Sequence, residues 1–481
     1  MRILVSNKIK IENYSQEVLD YCKETLVLPN PEYYKREAQG RWTGNTQKEF
    51  VLYERVGNDL LLPFGCFKEL WQRFGNKCEF KSCIRGITTV DYQSHIQLYP
   101  YQELAVNRLL SAKNGILVSP CGSGKTQMAL ELIARIGGKA LWLTHTGELL
   151  TQSMDRAKAC FDLSSDAYGT ITAGKVNIGS AITFATVQTM CNIDIKQYAK
   201  EWDVVIVDEC HKAIGTPTKI MQFYKVLSNL SARYKIGVTA TPKRADGLER
   251  CMTALLGNIE HKIPKEEVKK FTCPVKVMKV ETDYKPNLDV VLAGDGTIVY
   301  SSLINDLIQN EERNEKIARD IKVRLLAGFN HEKNEKFLVL SDRVEHLTKL
   351  RELIVKKMIE YGYPRPADRI KQLMALSNSK KAREERRRVL KDLNDGKINV
   401  VLATYALAKE GLDVPNLNYV VFASPQKDET TVTQSAGRVG RKAEGKEYGV
   451  VIDYVDSNFG MLAGFSKKRN SVYKKLEYEI M

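Results

Sequence analysis

Ser119-Pro-Cys-Gly-Ser-Gly-Lys-Thr126 decides how the rest of this chain is read. An apolar run, Gly115-Ile-Leu-Val118, precedes it and a helical pattern, Gln127-Met-Ala-Leu-Glu-Leu-Ile133, follows. A strand, a loop of small residues and a helix in that order make a cradle for phosphate. Backbone N–H groups turn toward the anion, and the helix directs its positive end at it. Pro120, Cys121, Gly122, Ser123 and Gly124 would line the cradle, Lys125 would reach the β- and γ-phosphates, and Thr126 would hold Mg²⁺. Ser119 stands where the common pattern opens with Gly.

A second stretch supplies the acidic half of the same chemistry. Asp203-Val-Val-Ile-Val207 is nearly continuous in β-branched residues, as expected of a strand buried on both faces of a parallel sheet. Asp208 and Glu209 follow at its carboxyl end, where open α/β sheets place their ligands. Asp208 is expected to take Mg²⁺, and Glu209 to orient and deprotonate an attacking water. His211 is expected to relay the state of the γ-phosphate.

With both stretches in place, the chain resembles the superfamily 2 DNA helicases and translocases. The likeness is to the branch of type III restriction and excision-repair enzymes, including phage branch-migration helicases. It implies an ATP-dependent, nucleic-acid-stimulated enzyme built from two tandem RecA-like parallel-sheet domains. Leu98-Tyr-Pro-Tyr-Gln102 is similar to the adenine-reading segment, with Gln102 on the base and Tyr99 where the family often has Arg. Two strand-end loops, Leu143-Thr-His-Thr146 and Phe184-Ala-Thr-Val-Gln-Thr189, resemble backbone grips, which places Thr144, His145, Thr186 and Gln188 on DNA. Val238-Thr-Ala-Thr-Pro242 resembles the segment that couples hydrolysis to strand movement through Thr239, Ala240 and Thr241.

The second half carries the partner set. By the same resemblance, Ser341 and Thr404 would touch DNA, and Gly411 and Asp413 in Lys409-Glu-Gly-Leu-Asp413 would meet nucleotide. Gln434-Ser-Ala-Gly-Arg-Val-Gly-Arg441 puts Gln434, Arg438 and Arg441 in the catalytic set with Lys125 and Glu209. Arginine suits a finger on the γ-phosphate because its guanidinium stays charged and forks onto phosphate oxygens.

Bulk properties agree. The 481 residues exceed a single core, and 43% hydrophobic content is ample for burial. Lys and Arg number 73 against 58 Asp and Glu, a net charge of +15, which favours a polyanionic partner. No apolar run approaches the roughly 20 residues that cross a bilayer, and Met1-Arg-Ile-Leu-Val-Ser-Asn-Lys8 lacks a secretory core, so an intracellular, cytoplasmic location is expected, the host's if phage-encoded. Cys66, Cys78 and Cys83 form one loose cluster whose spacing fits no structural zinc pattern well.

Along the chain, residues 93–265 are expected to form the first RecA-like domain and 276–460 the second, with a linker around Pro264–Pro274 and a basic tail over 461–481. Buried strands are expected at Gly115–Val118, Ala140–Thr144, Ala181–Ala185, Val204–Asp208 and Tyr234–Thr239. In the second domain they fall at Phe337–Leu340, Ile370–Ala375, Asn399–Ala403, Tyr419–Ala423 and Tyr448–Tyr454. Residues 1–92 fit neither pattern and read as a small α+β accessory domain with a hairpin turning at Gly57-Asn58. Arg41 and Trp42 there could hold or stack on DNA, or Trp42 could pack a small core. Since every motif lies downstream, this segment is expected to be dispensable for folding. The basic run from Lys380 to Lys391 reads as a solvated helix face. The tail could contact DNA or cap the second domain. DNA, duplex, branched or single-stranded, is the expected substrate; RNA, or a motor role in a restriction complex, is the alternative.

Overall fold

The computed structural model describes residues 1–120, 122–172, 174–213, 215, 217, 219–242, 244, 246–330, 334–373, 380–409, 417–443 and 445–481. Cys121, Gly411 and Asp413 lie outside the described residues. The chain divides into two compact units, Met1–Val268 and Lys269–Met481.

The first unit is built on an eight-stranded sheet. Its order is Lys175–Asn177, Tyr168–Thr172, Ile182–Thr186, Ala140–Thr144, Val204–Asp208, Tyr234–Thr239, Asn114–Val118 and Ile259–Lys262. Every pairing is parallel except the edge hairpin of Tyr168–Thr172 with Lys175–Asn177. The five expected strands are all present, within a residue or so at their ends. The three unexpected ones lie at or next to the sheet edges, where Lys175–Asn177 is wholly exposed and Ile259–Lys262 buries no residue, and the apolar signal is weak. The order places Tyr234–Thr239 between the strand that enters the phosphate loop and the strand that ends in Asp208. All three carboxyl ends therefore open on one side.

Residues 1–92 form a five-stranded sheet with a two-stranded ribbon of Val27–Pro29 and Glu49–Val51. The expected hairpin is there: Glu54–Val56 pairs antiparallel with Asp59–Pro63, and Gly57 takes φ +58° at the turn. This segment is not separable in the way its position suggested. Its buried Ile3, Ile11, Leu52, Leu62 and Leu70 join one continuous core with Phe223, Leu227, Met252 and Leu255 of the large sheet's helices. Arg250 forks onto Glu69 at 2.9 and 2.6 Å, and Tyr224 donates to the Leu52 carbonyl at 3.1 Å. A Cβ on Gly65 would stand 2.4 Å from the Gly257 nitrogen, so only glycine lets these two backbones meet.

The second unit has a wholly parallel seven-stranded sheet. Its order is Ile370–Gln372, Val400–Thr404, Phe337–Ser341, Tyr419–Phe422, Gly449–Val455, Val275–Glu281 and Glu479–Ile480. The end of the strand expected at Ile370–Ala375 falls outside the described residues. Val275–Glu281, just beyond the expected linker and not among the expected strands, is a strand that buries Val275 and Val277. The basic tail is structural: helix Gly460–Lys475 buries Arg469 against Asp453 at 2.8 Å. On helix Lys380–Asn394, Glu384, Glu385, Arg387 and Arg388 are exposed, while Arg386 turns inward.

Candidate active site

The phosphate loop is held open by glycine conformation and by side chains beneath it. Gly122 and Gly124 take φ +81° and +82°, and Gly124 caps helix Lys125–Ile136. A Cβ on Gly124 would meet the Gln102 amide nitrogen at 2.4 Å. Ser123 donates to the Pro120 carbonyl at 2.7 Å, and its hydroxyl also bonds that of Ser119. Ser119 therefore serves inside the loop as a hydroxyl brace, a role glycine could not fill. Its own N–H donates to the Thr239 carbonyl at 2.9 Å, which ties the loop to the neighbouring strand.

Gln102 lies directly beneath the phosphate loop. It is 2% exposed; its amide donates to the Ser123 carbonyl at 2.7 Å and accepts from the Tyr99 N–H at 2.9 Å. Tyr101 reaches the same carbonyl at 3.0 Å. Both groups are committed to the loop.

Lys125, Asp208 and Glu209 converge. The Lys125 ammonium lies 3.8 Å from Glu209 Oε1 and 3.5 Å from the Ser119 carbonyl it donates to. Glu209 adopts φ +44°, a left-handed conformation uncommon outside glycine, and its N–H donates to Asp208 Oδ1 at 2.9 Å. This turn throws two adjacent carboxylates into one buried space. Burial, and then the charge of Glu209, push the Asp208 carboxyl up. Burial opposes ionisation of Glu209 as well, but Lys125, His211 and Lys212 outweigh it and hold that carboxyl down. Glu209 Oε2 is buried without a hydrogen-bond partner. A buried carboxylate that resists ionisation, an unpartnered acid oxygen and a nearby threonine on a helix N-terminus fit a hard divalent cation shared with phosphate oxygens. Thr126 and Asp208 are the residues that would hold it. Among the described residues no group of three His, Cys, Asp or Glu forms a metal cage of its own.

The expected coupling residues meet. His211 Nδ1 is 2.6 Å from the Thr239 hydroxyl and Nε2 is 3.1 Å from that of Thr241, with Ala240 between them in the chain. His211 Nδ1 also lies 3.4 Å from Glu209 Oε2. Burial pushes the imidazole down to about 4, so it works as a neutral hydrogen-bonding bridge. Arg244 was missed from sequence. It donates to the His211 carbonyl and, at 2.9 Å, to that of Gly215, while Asp246 holds its guanidinium at 2.8 Å. Its place just beyond Thr-Ala-Thr-Pro was the only available signal.

The expected DNA contacts divide. Thr144 and Ser341 are fully buried, with Thr144 donating to the Thr146 carbonyl and Ser341 bonded to His346 at 2.9 Å. Thr404 is 9% exposed and caps the following helix through Leu407 N–H. Thr186 caps its own helix at Thr189 N–H. The hydroxyls of Thr186 and Thr404 satisfy unpaired backbone N–H groups at strand–helix junctions, whereas those of Thr144 and Ser341 bond a carbonyl and an imidazole. His145 is half-buried with its Nδ1 unpartnered, and burial pushes it down to about 4. Gln188 is exposed. Trp42 is 85% exposed, so it packs no core. Trp42 rests against Gly44 and, with Arg41, Lys35 and Arg36, rims a hollow of about 160 Å³ beside helix Pro31–Ala38, which buries no residue.

In the second unit, Arg438 is 9% exposed and donates to the Ala408 carbonyl. Gln434 keeps a buried Oε1 without a hydrogen-bond partner, and Arg441 is half-buried.

The chain is similar to known helicases along most of its length. Residues 95–244 match the family model described as type III restriction enzyme, res subunit, and residues 315–443 match the helicase conserved C-terminal domain. Together these take in more than half of the chain. A putative ATP-dependent RNA helicase, L396 of Acanthamoeba polyphaga mimivirus, is 27% identical over 80% of this chain and 69% of its own length. The ATP-dependent DNA helicase uvsW of Enterobacteria phage T4 is 24% identical over 97% of this chain and 93% of its own. Among solved structures, the Pyrococcus furiosus Hef helicase domain has a similar fold, with a TM-score of 0.51 at 19% identity over 78% of this chain and 98% of that one. No helix among the described residues is long and apolar enough to cross a membrane.

Proposed function

Since this chain is an ATP-dependent superfamily 2 helicase of the type III restriction and XPB-like branch, we propose that it acts on DNA, coupling hydrolysis to the remodelling of duplex or branched strands. The observation that carries a nucleic-acid grip is the exposed Trp42 among Arg41, Lys35 and Arg36, on a segment that shares its core with the ATPase sheet, and the choice of DNA within that reading follows the similarity to a phage DNA helicase. An aromatic ring with a free face takes a base, and the adjacent cations take phosphate. The full-length similarity to a phage DNA helicase, N-terminal segment included, supports the same reading.

In this proposal Lys125 and the phosphate loop bind the β- and γ-phosphates. Thr126 and Asp208 hold Mg²⁺, which would neutralise charge on the phosphate oxygens. Glu209 orients the water and accepts its proton. Arg438 and Arg441, with Gln434, stabilise charge on the transferring phosphoryl group. His211, Thr239 and Thr241 report the state of the γ-phosphate to the strand ends. Residues 1–92 act as an accessory DNA grip, and 93–265 and 276–460 as the two motor domains.

An RNA substrate is the second reading, favoured by the name of the mimivirus relative. ATPase stimulation and strand separation measured on fork, four-way junction, linear duplex, single-stranded DNA and matched RNA decide between them. DNA should stimulate most, and R41A/W42A should weaken junction binding and flatten its salt dependence. Stimulation by RNA alone would overturn the proposal.

A further inference from the structure

Arg438 and Arg441 sit on a short turn, Gly437–Gly440, and three successive carbonyls of this segment are pinned from outside it. The N–H of Cys273 donates to the Gly440 carbonyl at 2.8 Å. The other two carbonyls share a single donor. The ammonium of Lys446 donates to the Val439 carbonyl at 2.6 Å and to the Arg441 carbonyl at 3.1 Å. Its third bond, at 2.5 Å, goes to the Leu417 carbonyl, which opens the strand-entry segment on the other side of the turn. Nothing in the motif Gln434–Arg441 points to Lys446, which lies five residues beyond it.

The arrangement is selective for lysine. A tetrahedral ammonium carries three N–H donors that diverge from one point, and here three carbonyls surround that point. Arginine has more donors but spreads them over a flat fork, and methionine has none. Burial works against the charge and lowers the ammonium to about 8. The charged and titratable groups around it are Cys273, Arg441 and Glu335; among the described residues no carboxylate is bonded to it, and the Cys273 thiol in turn donates to the carbonyl of Lys446. A lysine placed among carbonyls at that cost is there for the geometry it imposes.

We propose that Lys446 is a positioning residue for phosphoryl transfer, which fixes the backbone from which Arg441 projects and locks that backbone to the segment at Leu417. It touches neither nucleotide nor DNA. The inference rests on the reading of Arg441 as the residue that stabilises the transferring phosphate, and it adds the element that holds this residue in register. Misplacing a catalytic group by about an ångström costs on the order of 10²-fold in rate, so the effect of losing the clamp is in kcat.

The test measures DNA-stimulated ATPase, nucleotide affinity by a fluorescent ATP analogue, and thermal unfolding for K446M, K446R, R441A and K446M/R441A in the full chain. K446M should lose on the order of tenfold or more in kcat with analogue affinity within about twofold of wild type, and K446R should fall between them. In the double variant, K446M should cause no further loss, because the group it positions is already gone. Wild-type kcat in K446M beside a crippled R441A would overturn the positioning role while leaving the Arg441 reading intact. Wild-type kcat in R441A would overturn the Arg441 reading, and this inference with it. Losses that multiply in the double variant, or unfolding of both Lys446 variants, would make Lys446 a stabilising residue only.

Discussion

The Lys125 ammonium faces Glu209 Oε1 at 3.8 Å, so the one cationic side chain of the phosphate loop and the acid at the end of the next motif are already paired. Lys125 is the largest influence favouring ionised Glu209 against its burial. Incoming phosphate would draw Lys125 away and leave Glu209 as a stronger base. This exchange makes the two residues separable by experiment.

Lys125→Ala removes the cation from the loop and from Glu209 together. ATP turnover should fall by about 10²-fold or more, since a preorganised charge on the transferring group is lost. DNA binding without nucleotide should persist, because Arg41 and Trp42 are unaffected. Turnover near wild type in a steady-state assay would remove Lys125 from the mechanism.

Glu209→Gln keeps the shape of the turn and the N–H bond to Asp208 but removes the proton acceptor. Turnover should drop by about 10²–10⁴-fold, the range for general-base loss. ATP should still bind, and the trapped complex should hold DNA in one affinity state. Single-turnover hydrolysis at the wild-type rate would end the assignment of Glu209 as base.

Deleting residues 1–92 should yield insoluble or unfolded protein, because Leu227, Met252 and Leu255 lose the partners that bury them. A milder cut makes the same point. Glu69→Ala leaves Arg250 without its fork and should lower stability by about 1–3 kcal/mol while leaving the nucleotide loop intact. Equal urea midpoints for wild type and Glu69→Ala would show that the seam carries little of the stability.

Lys235 is fully buried beneath the same seam. Its ammonium meets the carbonyls of Asn7 and Leu227 at 3.4 and 3.2 Å and lies 4.5 Å from the centre of the Phe64 ring, and among the described residues no carboxylate pairs with it. Burial lowers it from 10.5 to about 7. Between those values the unfolded chain binds the proton that the folded chain has released, so this residue makes stability rise with pH across that window. Lys235→Met should abolish that contribution: its stability relative to wild type should be greatest below about pH 7 and shrink toward about pH 10. Parallel pH profiles of the two urea midpoints would show that Lys235 does not titrate in this window.

The sequence by itself determined the motor chemistry and most of both sheets. Gly122, Gly124, Lys125 and Asp208-Glu209 were legible as a candidate site because phosphate binding requires small residues, one cation and paired acids at fixed spacing on local elements. The buried strands announced themselves by unbroken β-branched runs such as Val204–Val207. Tertiary structure alone decided the rest. Gln102 turned into the loop because the Ser123 carbonyl needed a donor. Thr144, Ser341 and Thr404 turned inward because strand ends leave backbone groups to satisfy. Residues 1–92 became part of the first unit because their apolar faces met Leu227 and Leu255, more than a hundred residues away. Lys446 reached Arg441 through a turn whose partners lie on separate segments. Spacing along a chain encodes local geometry, whereas burial and long-range hydrogen bonding depend on which surfaces meet, and that is fixed only when the chain has folded.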